Sequence, residues 1–240
     1  MEIQKYRVTL ADRKEVAEET VAFDFEKPKD FSFTAGQYVT LGLLHPKYTG
    51  KKGNTRALSI ASAPYERYVT LVMRKSISAF KRSLWEIPIG GEAEIIGPLG
   101  KFVLPDDKKQ EVVFLVGGIG ITPVRSMIRQ AVHDNSERKM CLFYSNRRPH
   151  TAAYEEDFES PGIKEWLCVN TMTEIEGACS IWNGETGFIR PEILQKYIDD
   201  VAEPLYYVVG PGGFVKAIEE MLLGLNVQEE KIKIDNFGTY

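Results

Sequence analysis

The 240-residue sequence predicts two domains of different architecture: an antiparallel β-barrel over residues 1–105 and a doubly wound α/β domain with a five-stranded parallel sheet over residues 106–240. Three observations predict it. Up to about residue 105, apolar residues recur with period two between Gly and Pro punctuation, the pattern of half-buried antiparallel strands. Around Pro105 the chain reads Pro-Asp-Asp-Lys-Lys-Gln-Glu, too charged for a core and suited to a boundary. Beyond it, short continuous apolar runs alternate with helical patterns, which implies parallel strands joined by crossover helices.

In the first half, Tyr6, Val8 and Leu10 alternate with polar neighbours, as do Val21, Phe23 and Phe25, then Val39, Leu41 and Leu43, then Val69, Leu71 and Met73. Each set puts one face on a core and the other in water. One helix is expected here, over 78–87, with Phe80 and Leu84 four apart on a shared face. In the second half, 112–116 is expected to be a strand buried on both faces, followed by a helix with Val124, Met127, Ile128 and Ala131 on one side. Further strands are expected at 140–144, 166–169, 205–209 and 232–234, with helices near 153–159, 190–198 and 213–223.

Composition excludes several function classes. The chain has 43% hydrophobic and 27% charged residues and a net charge of -4, which describes a globular protein. A chain this long buries roughly 70 to 75% of the surface its unfolded form exposes, enough for a core without disulfide or metal staples. Its charges are interspersed and form no basic stripe for nucleic-acid phosphates. No apolar run approaches the ~20 residues of a bilayer span, and Met-Glu-Ile-Gln-Lys at the start is no signal peptide, so a cytoplasmic protein without a membrane span is expected. Cys141, Cys168 and Cys179 are widely spaced, as are His45, His133 and His150, and neither set has metal-ligand spacing. No Gly-x-Ser-x-Gly elbow offers a hydrolase nucleophile.

Chemistry concentrates after the first buried strand, at Gly117-Gly118-Ile119-Gly120-Ile121-Thr122-Pro123. Thr122 suits a helix N-cap and Pro123 the first helical position, so free N–H groups and the positive helix end would face whatever the loop holds. The loop either closes a tight strand-to-helix turn or holds an anion, most simply a pyrophosphate; its place at the carboxyl end of a strand favours the ligand. It departs from the dinucleotide fingerprint, because Pro123 stands where the third glycine belongs, and the second strand ends at Ser145-Asn146-Arg147-Arg148 with no acid for a ribose hydroxyl. A P-loop fails too, since Gly100-Lys101 is followed by Phe102.

Arg56-Ala57-Leu58-Ser59, after the third alternating strand, resembles the Arg-x-Tyr-Ser flavin motif of the ferredoxin-NADP reductase superfamily. The order continues with Ile89-Gly90-Gly91-Glu92, Gly97-Pro98-Leu99-Gly100-Lys101-Phe102, the glycine loop at 117–123, Val209-Gly210-Pro211-Gly212-Gly213 and the terminal Asp235-Asn236-Phe237-Gly238-Thr239-Tyr240. The resemblance spans almost the whole chain. It implies a six-stranded Greek-key barrel that binds FAD and an α/β domain that binds NADH or NADPH. It places Arg56 on the flavin phosphate, where a guanidinium fork matches phosphate oxygens. It places Ser59 by the reactive flavin nitrogen, the backbone of 58–60 along the ring, and Ser78 with its helix start on the pyrophosphate. It also places Asp235 near the same nitrogen and Phe237 or Tyr240 over the ring. Four residues depart from the family pattern: Leu58 for Tyr, Lys75 for Gly, Val209 for Cys, and Asp235 for Glu.

The implied activity is hydride transfer from NAD(P)H, docked over Gly117, Gly118, Gly120, Thr122 and Pro123 and past Gly210 and Pro211, to FAD. Electrons then pass to a separate acceptor such as a ferredoxin, a flavodoxin or an oxygenase component, because no Cys-x4-Cys-x2-Cys segment is present. Reduction of free flavin or small acceptors, and a flavin-binding electron-transfer subunit without nicotinamide activity, are the alternatives. Ser145, Arg147 and Arg148 could hold a 2′-phosphate, whereas Glu174 at the end of the next strand would repel it, which tips the expectation toward NADH.

Overall fold

The computed structural model describes residues 4–159, 167–173 and 184–237 of the chain. They fall into two compact units, one comprising Met1–Leu104 with Thr122–Asp134, the other Pro105–Ile121 with Asn135–Tyr240.

The first unit is built on a six-stranded antiparallel sheet. Its strands are β1 (Gln4–Ala17), β2 (Thr20–Glu26), β3 (Tyr38–Leu43), β4 (Thr55–Ser59), β5 (Tyr68–Arg74) and β6 (Glu92–Leu99), in the order β4-β3-β6-β1-β2-β5. A bridge between Ile60 and Leu71, with the Ala61 N–H donating to the Thr70 carbonyl at 2.9 Å, joins the two outer strands and closes the sheet into the expected Greek-key barrel. The two outer strands meet at this bridge, as in a closed barrel. β1 serves two neighbours: residues 4–9 pair with β6, residues 10–17 pair with β2, and the register shifts between Leu10 and Asp12 where it changes partner.

Period two holds in β3, where Val39, Leu41 and Leu43 are buried and their neighbours half-buried. It fails in β2, where Ala22 and Asp24 are buried along with Val21, Phe23 and Phe25. The cause is a satisfied polar contact: the Thr70 hydroxyl donates to Asp24 Oδ1 at 2.6 Å, so the outward face of β2 meets structure instead of water. The barrel core takes Val8, Leu10, Phe23, Phe25, Leu41, Ile60 and Leu71, together with Phe80 and Leu84 of helix α1 (Ala79–Glu86). Each such side chain contributes about 1.5–3 kcal/mol by leaving water.

Helix α2 (Ile121–His133) is held to this unit from Thr122 onward. Arg125 Nη1 donates to the Ala61 carbonyl at 2.8 Å and the Ser126 hydroxyl to the Ser62 carbonyl at 2.7 Å, while Arg129 pairs with Glu66. The ring of His133 stacks on Tyr65, with centroids 4.0 Å apart.

The second unit is a parallel sheet of β7 (Val112–Gly117), β8 (Met140–Asn146), β9 (Leu167–Met172), β11 (Leu205–Gly210) and β12 (Ile232–Asn236). The two-residue β10 (Glu185–Thr186) extends the edge beyond β9, giving the order β10-β9-β8-β7-β11-β12. The chain builds outward from β7 in one direction, then returns to place β11 on its other side. Helices α3 (Pro191–Tyr197) and α4 (Gly212–Gly224) bury Ile193, Leu194, Val215, Ile218 and Leu222 against Val113, Leu115, Phe143 and Val208. The helix expected near 153–159 is instead a short 3-10 turn, Glu155–Glu159, whose three leading acids cluster on one turn. Among the described residues no helix is long and apolar enough to cross a membrane.

Candidate functional site

In the first unit, β4 presents Arg56, Ala57, Leu58 and Ser59 in sequence. Strand alternation puts Arg56 and Leu58 on one face and Ala57 and Ser59 on the other. Leu58 packs against the barrel core, Ala57 is exposed, and Ser59 is buried opposite Tyr38 of β3. Leu58 thus serves the core. Arg56 turns back over α1, its guanidinium 4.8 Å from the centre of the Phe80 ring. Its Nη1 donates to the carbonyl of Lys52 at 2.9 Å and to that of Thr55 at 2.5 Å. Only Nη1 is engaged in hydrogen bonds among the described residues, which leaves the other donors of the fork for an anion.

Ser78 is the N-cap of α1, its hydroxyl oxygen accepting the Lys81 N–H at 3.4 Å. The hydroxyl proton remains available to an anion at the helix start. Two guanidiniums lie near enough to act on Lys81, the third residue of that helix. Burial, together with the positive charges of Arg74 and then Arg56, pulls the Lys81 ammonium below its ordinary pKa of 10.5. A half-buried ammonium beside two guanidiniums at a positive helix end is a concentration of charge that an anion relieves. Sequence reading singled out Arg56 and Ser78 but not Arg74 or Lys81. The missed signal was their spacing: Arg74 ends a strand and Lys81 is the third residue of the next helix, so both reach the same turn.

In the second unit, the carboxyl ends of four adjacent strands bring Gly117, Ser145, Gly210 and Asp235 together. Gly117 lies beside Ser145 in the β7–β8 register, Val116 pairs with Val209 just before Gly210, and Asp235 pairs with Val209. Phe237 continues from β12, its N–H donating to the Gly210 carbonyl at 3.3 Å. Between β7 and β11 the order of strands reverses, the place where open α/β sheets bind their ligands.

The glycines here meet the demands of the fold itself. A Cβ on Gly117 would stand 2.9 Å from the Phe214 ring, one on Gly120 2.5 Å from the Val209 carbonyl oxygen, and one on Gly210 3.1 Å from the Cα of Gly117. Gly118, at φ +52°, begins a 3-10 turn that runs straight into α2. Thr122 therefore lies inside the helix and is buried, rather than capping it, and Pro123 is its third residue; the N-cap position of the turn belongs to Gly117. The expected capping fails because the helical path starts five residues early, where the glycines allow it.

Ser145 is buried and Arg147 exposed. Pro211 is the N-cap residue of α4. Burial raises the Asp235 carboxyl above its ordinary 3.8. Two residues that sequence reading passed over stand nearby: Asn146 and Thr171 are buried at the ends of β8 and β9, and neither Asn146 side-chain polar atom nor the Thr171 hydroxyl has a partner among the described residues. Tyr240 and Glu174 lie outside the described residues.

A family model described as an oxidoreductase NAD-binding domain matches residues 114–220. The chain is 30% identical to a flavohemoprotein of Bacillus thuringiensis subsp. konkukian over 94% of this chain and 59% of that one. It is 28% identical to the glycine betaine monooxygenase reductase subunit of Pseudomonas aeruginosa, over 91% of this chain and 60% of the relative. A ferredoxin NADP+ reductase from Neisseria gonorrhoeae, solved with bound FAD and NADP, superposes with a TM-score of 0.79 at 19% identity, covering 98% of this chain and 99% of that one. The chain carries an oxidoreductase NAD-binding domain and shares the fold of that ferredoxin NADP+ reductase. This reductase-like chain spans about three fifths of the length of the curated relatives it matches, 59% and 60% for the two above.

Proposed function

We propose that this chain takes a hydride from NADH or NADPH onto bound FAD and delivers electrons to a separate one-electron acceptor. The observation that carries the reading is the cluster of Arg56, Arg74 and Lys81 around the Ser78-capped start of α1, a charge arrangement suited to the pyrophosphate of FAD. Bound FAD would supply a ring that accepts two electrons together and releases them one at a time. The chain's own residues bind and orient. Arg56 offers its free donors to phosphate, Ser78 donates its hydroxyl proton, and Lys81 neutralises the remaining charge. In the second unit the reversal point beside Gly117 and Gly210 is the dock for the nicotinamide dinucleotide, with Ser145 and Arg147 toward its adenosine end. Asp235, its carboxyl biased toward the protonated form by burial, is a proton donor or acceptor at the end of β12.

Of an oxygenase component, a ferredoxin and a flavodoxin, the monooxygenase reductase subunit among the relatives favours an oxygenase component as the acceptor. The test is an anaerobic absorption spectrum of the purified chain titrated with NADH and then NADPH. A yellow protein bleached by one nucleotide more readily than the other supports the reading and names the donor. A chain that stays without a flavin spectrum after reconstitution with excess FAD overturns it.

A further inference from the structure

Arg56 and helix α1 are tied together by the loop between β3 and β4. Ser83 of α1, 3% exposed, exchanges two hydrogen bonds with the backbone of Tyr48: the Tyr48 N–H donates to its hydroxyl oxygen at 2.8 Å, and the hydroxyl donates to the Tyr48 carbonyl at 3.0 Å. The Tyr48 hydroxyl donates to Glu86 Oε1 at 2.9 Å and Lys47 Nζ to Oε2 at 2.6 Å, so two consecutive loop residues grip one carboxylate of the helix. The Arg82 guanidinium lies 3.8 Å over the Tyr48 ring. Further along, a Cβ on Gly50 would be 3.3 Å from that of Ala79, so loop and helix are in close contact. The same loop then supplies the Lys52 carbonyl that accepts from Arg56 Nη1 at 2.9 Å. Its anchors thus run along the helix from Glu86 to Ala79 and end on Arg56.

We propose that the 44–54 loop is a latch that fixes Arg56 in its phosphate-binding pose, with Ser83 and Tyr48 as the positioning residues. The proposal rests on the flavin reading above and assigns a role to residues outside the binding set. The chemistry explains why a latch is needed. Arg56 stands among like charges beside Arg74 and Lys81, and its long, flexible side chain is held by the Lys52 carbonyl of the loop together with the Thr55 carbonyl and the Phe80 ring. Holding Nη1 on the loop orients the rest of the fork toward the start of α1 before any ligand arrives, which lowers the entropic cost of binding.

The test is a double-mutant cycle on FAD affinity, read by quenching of flavin fluorescence, with circular dichroism as the folding control. Ser83→Ala is expected to weaken FAD binding about tenfold, and to change it less than about twofold in an Arg56→Ala background, because the latch acts only through Arg56. If Ser83→Ala does not fold, Tyr48→Phe, which removes the bond to Glu86 and keeps the ring under Arg82, is expected to show a smaller loss with the same dependence on Arg56. Equal losses in both backgrounds, or no loss, overturn the latch while leaving the flavin reading intact. A wild-type chain that binds no FAD overturns the flavin reading, and the latch with it.

Discussion

Replacing Gly120 with Ala should destabilise the second unit although the change adds a single methyl group. That methyl would lie 2.5 Å from the Val209 carbonyl oxygen and 2.9 Å from its carbon. Ordinary contact needs about 3.4 Å or more between such atoms, so one backbone must retreat by roughly 1 Å. Both backbones are fixed, Gly120 by the turn that leads into α2 and Val209 by ladders to β7 and β12 on either side. Overpacking of this kind costs about 1–3 kcal/mol, and with no flexible side chain to yield the upper half of that range is expected. A loss of about 2–3 kcal/mol lowers the melting temperature by roughly 4–12 °C in a domain of this size. Gly213 is the control: a Cβ there meets nothing within 4 Å and the residue lies in α4, so Gly213→Ala should stabilise by about 0.4–1 kcal/mol. Thermal melts followed by circular dichroism compare the two. Equal melting temperatures for Gly120→Ala and the wild type would refute the steric reasoning, and so would a loss in both variants.

Further expectations follow from individual side chains. Lys81→Met should weaken FAD at least tenfold in fluorescence titration, because a charge-assisted contact contributes about 1.5–3 kcal/mol; unchanged affinity would remove Lys81 from the site. Asp235 has a folded pKa raised by burial, so the folded chain holds its proton more tightly than the unfolded one, and this group's contribution to stability is lost as pH rises from about 3.8 through the folded value. Asp235→Asn should therefore gain stability relative to wild type as pH rises from 4 toward neutrality in guanidinium melts; a constant difference would contradict the burial. Thr70→Val should cost about 1–3 kcal/mol, because Asp24 loses the hydroxyl that satisfies it inside the barrel wall, whereas a change below about 0.5 kcal/mol would show that water reaches Asp24.

Both architectures were legible from period alone, because a barrel core demands alternation and a covered parallel sheet demands unbroken apolar runs. Legibility ended where a third body intervened. The polar look of Asp24 in β2 suggested water, since no sequence rule could pair it with Thr70 forty-six positions away. The acids at Glu155–Glu159 sit on a helix-like period, yet the chain makes only a 3-10 turn there. Thr122-Pro123 has the chemistry of a helix start, but three glycines upstream let the helical path begin sooner. At the candidate site, Arg56 and Ser78 were visible through a motif. Arg74 and Lys81 were not, because their meeting depends on how β5 hands over to α1. The loop's grip on Ser83 carried no signal, since it is through main-chain atoms of Tyr48 that any residue could supply.

The shared strand β1 also sets when the barrel can form. Its first residues pair with β6, Gln4 meeting Gly97 across nearly the whole length of the unit. During synthesis those first residues, Val8 among them, must wait for their partner while almost a hundred others emerge. Pairings of such long range come late and slowly, because the loop they close must be ordered before they reward it. The hairpin of β1 with β2, a few residues apart, can form at once and hold the second half of the strand in register. The bulge beyond Leu10 is therefore a division in time as well as in space, with the early hairpin on one side and the last seam of the barrel on the other.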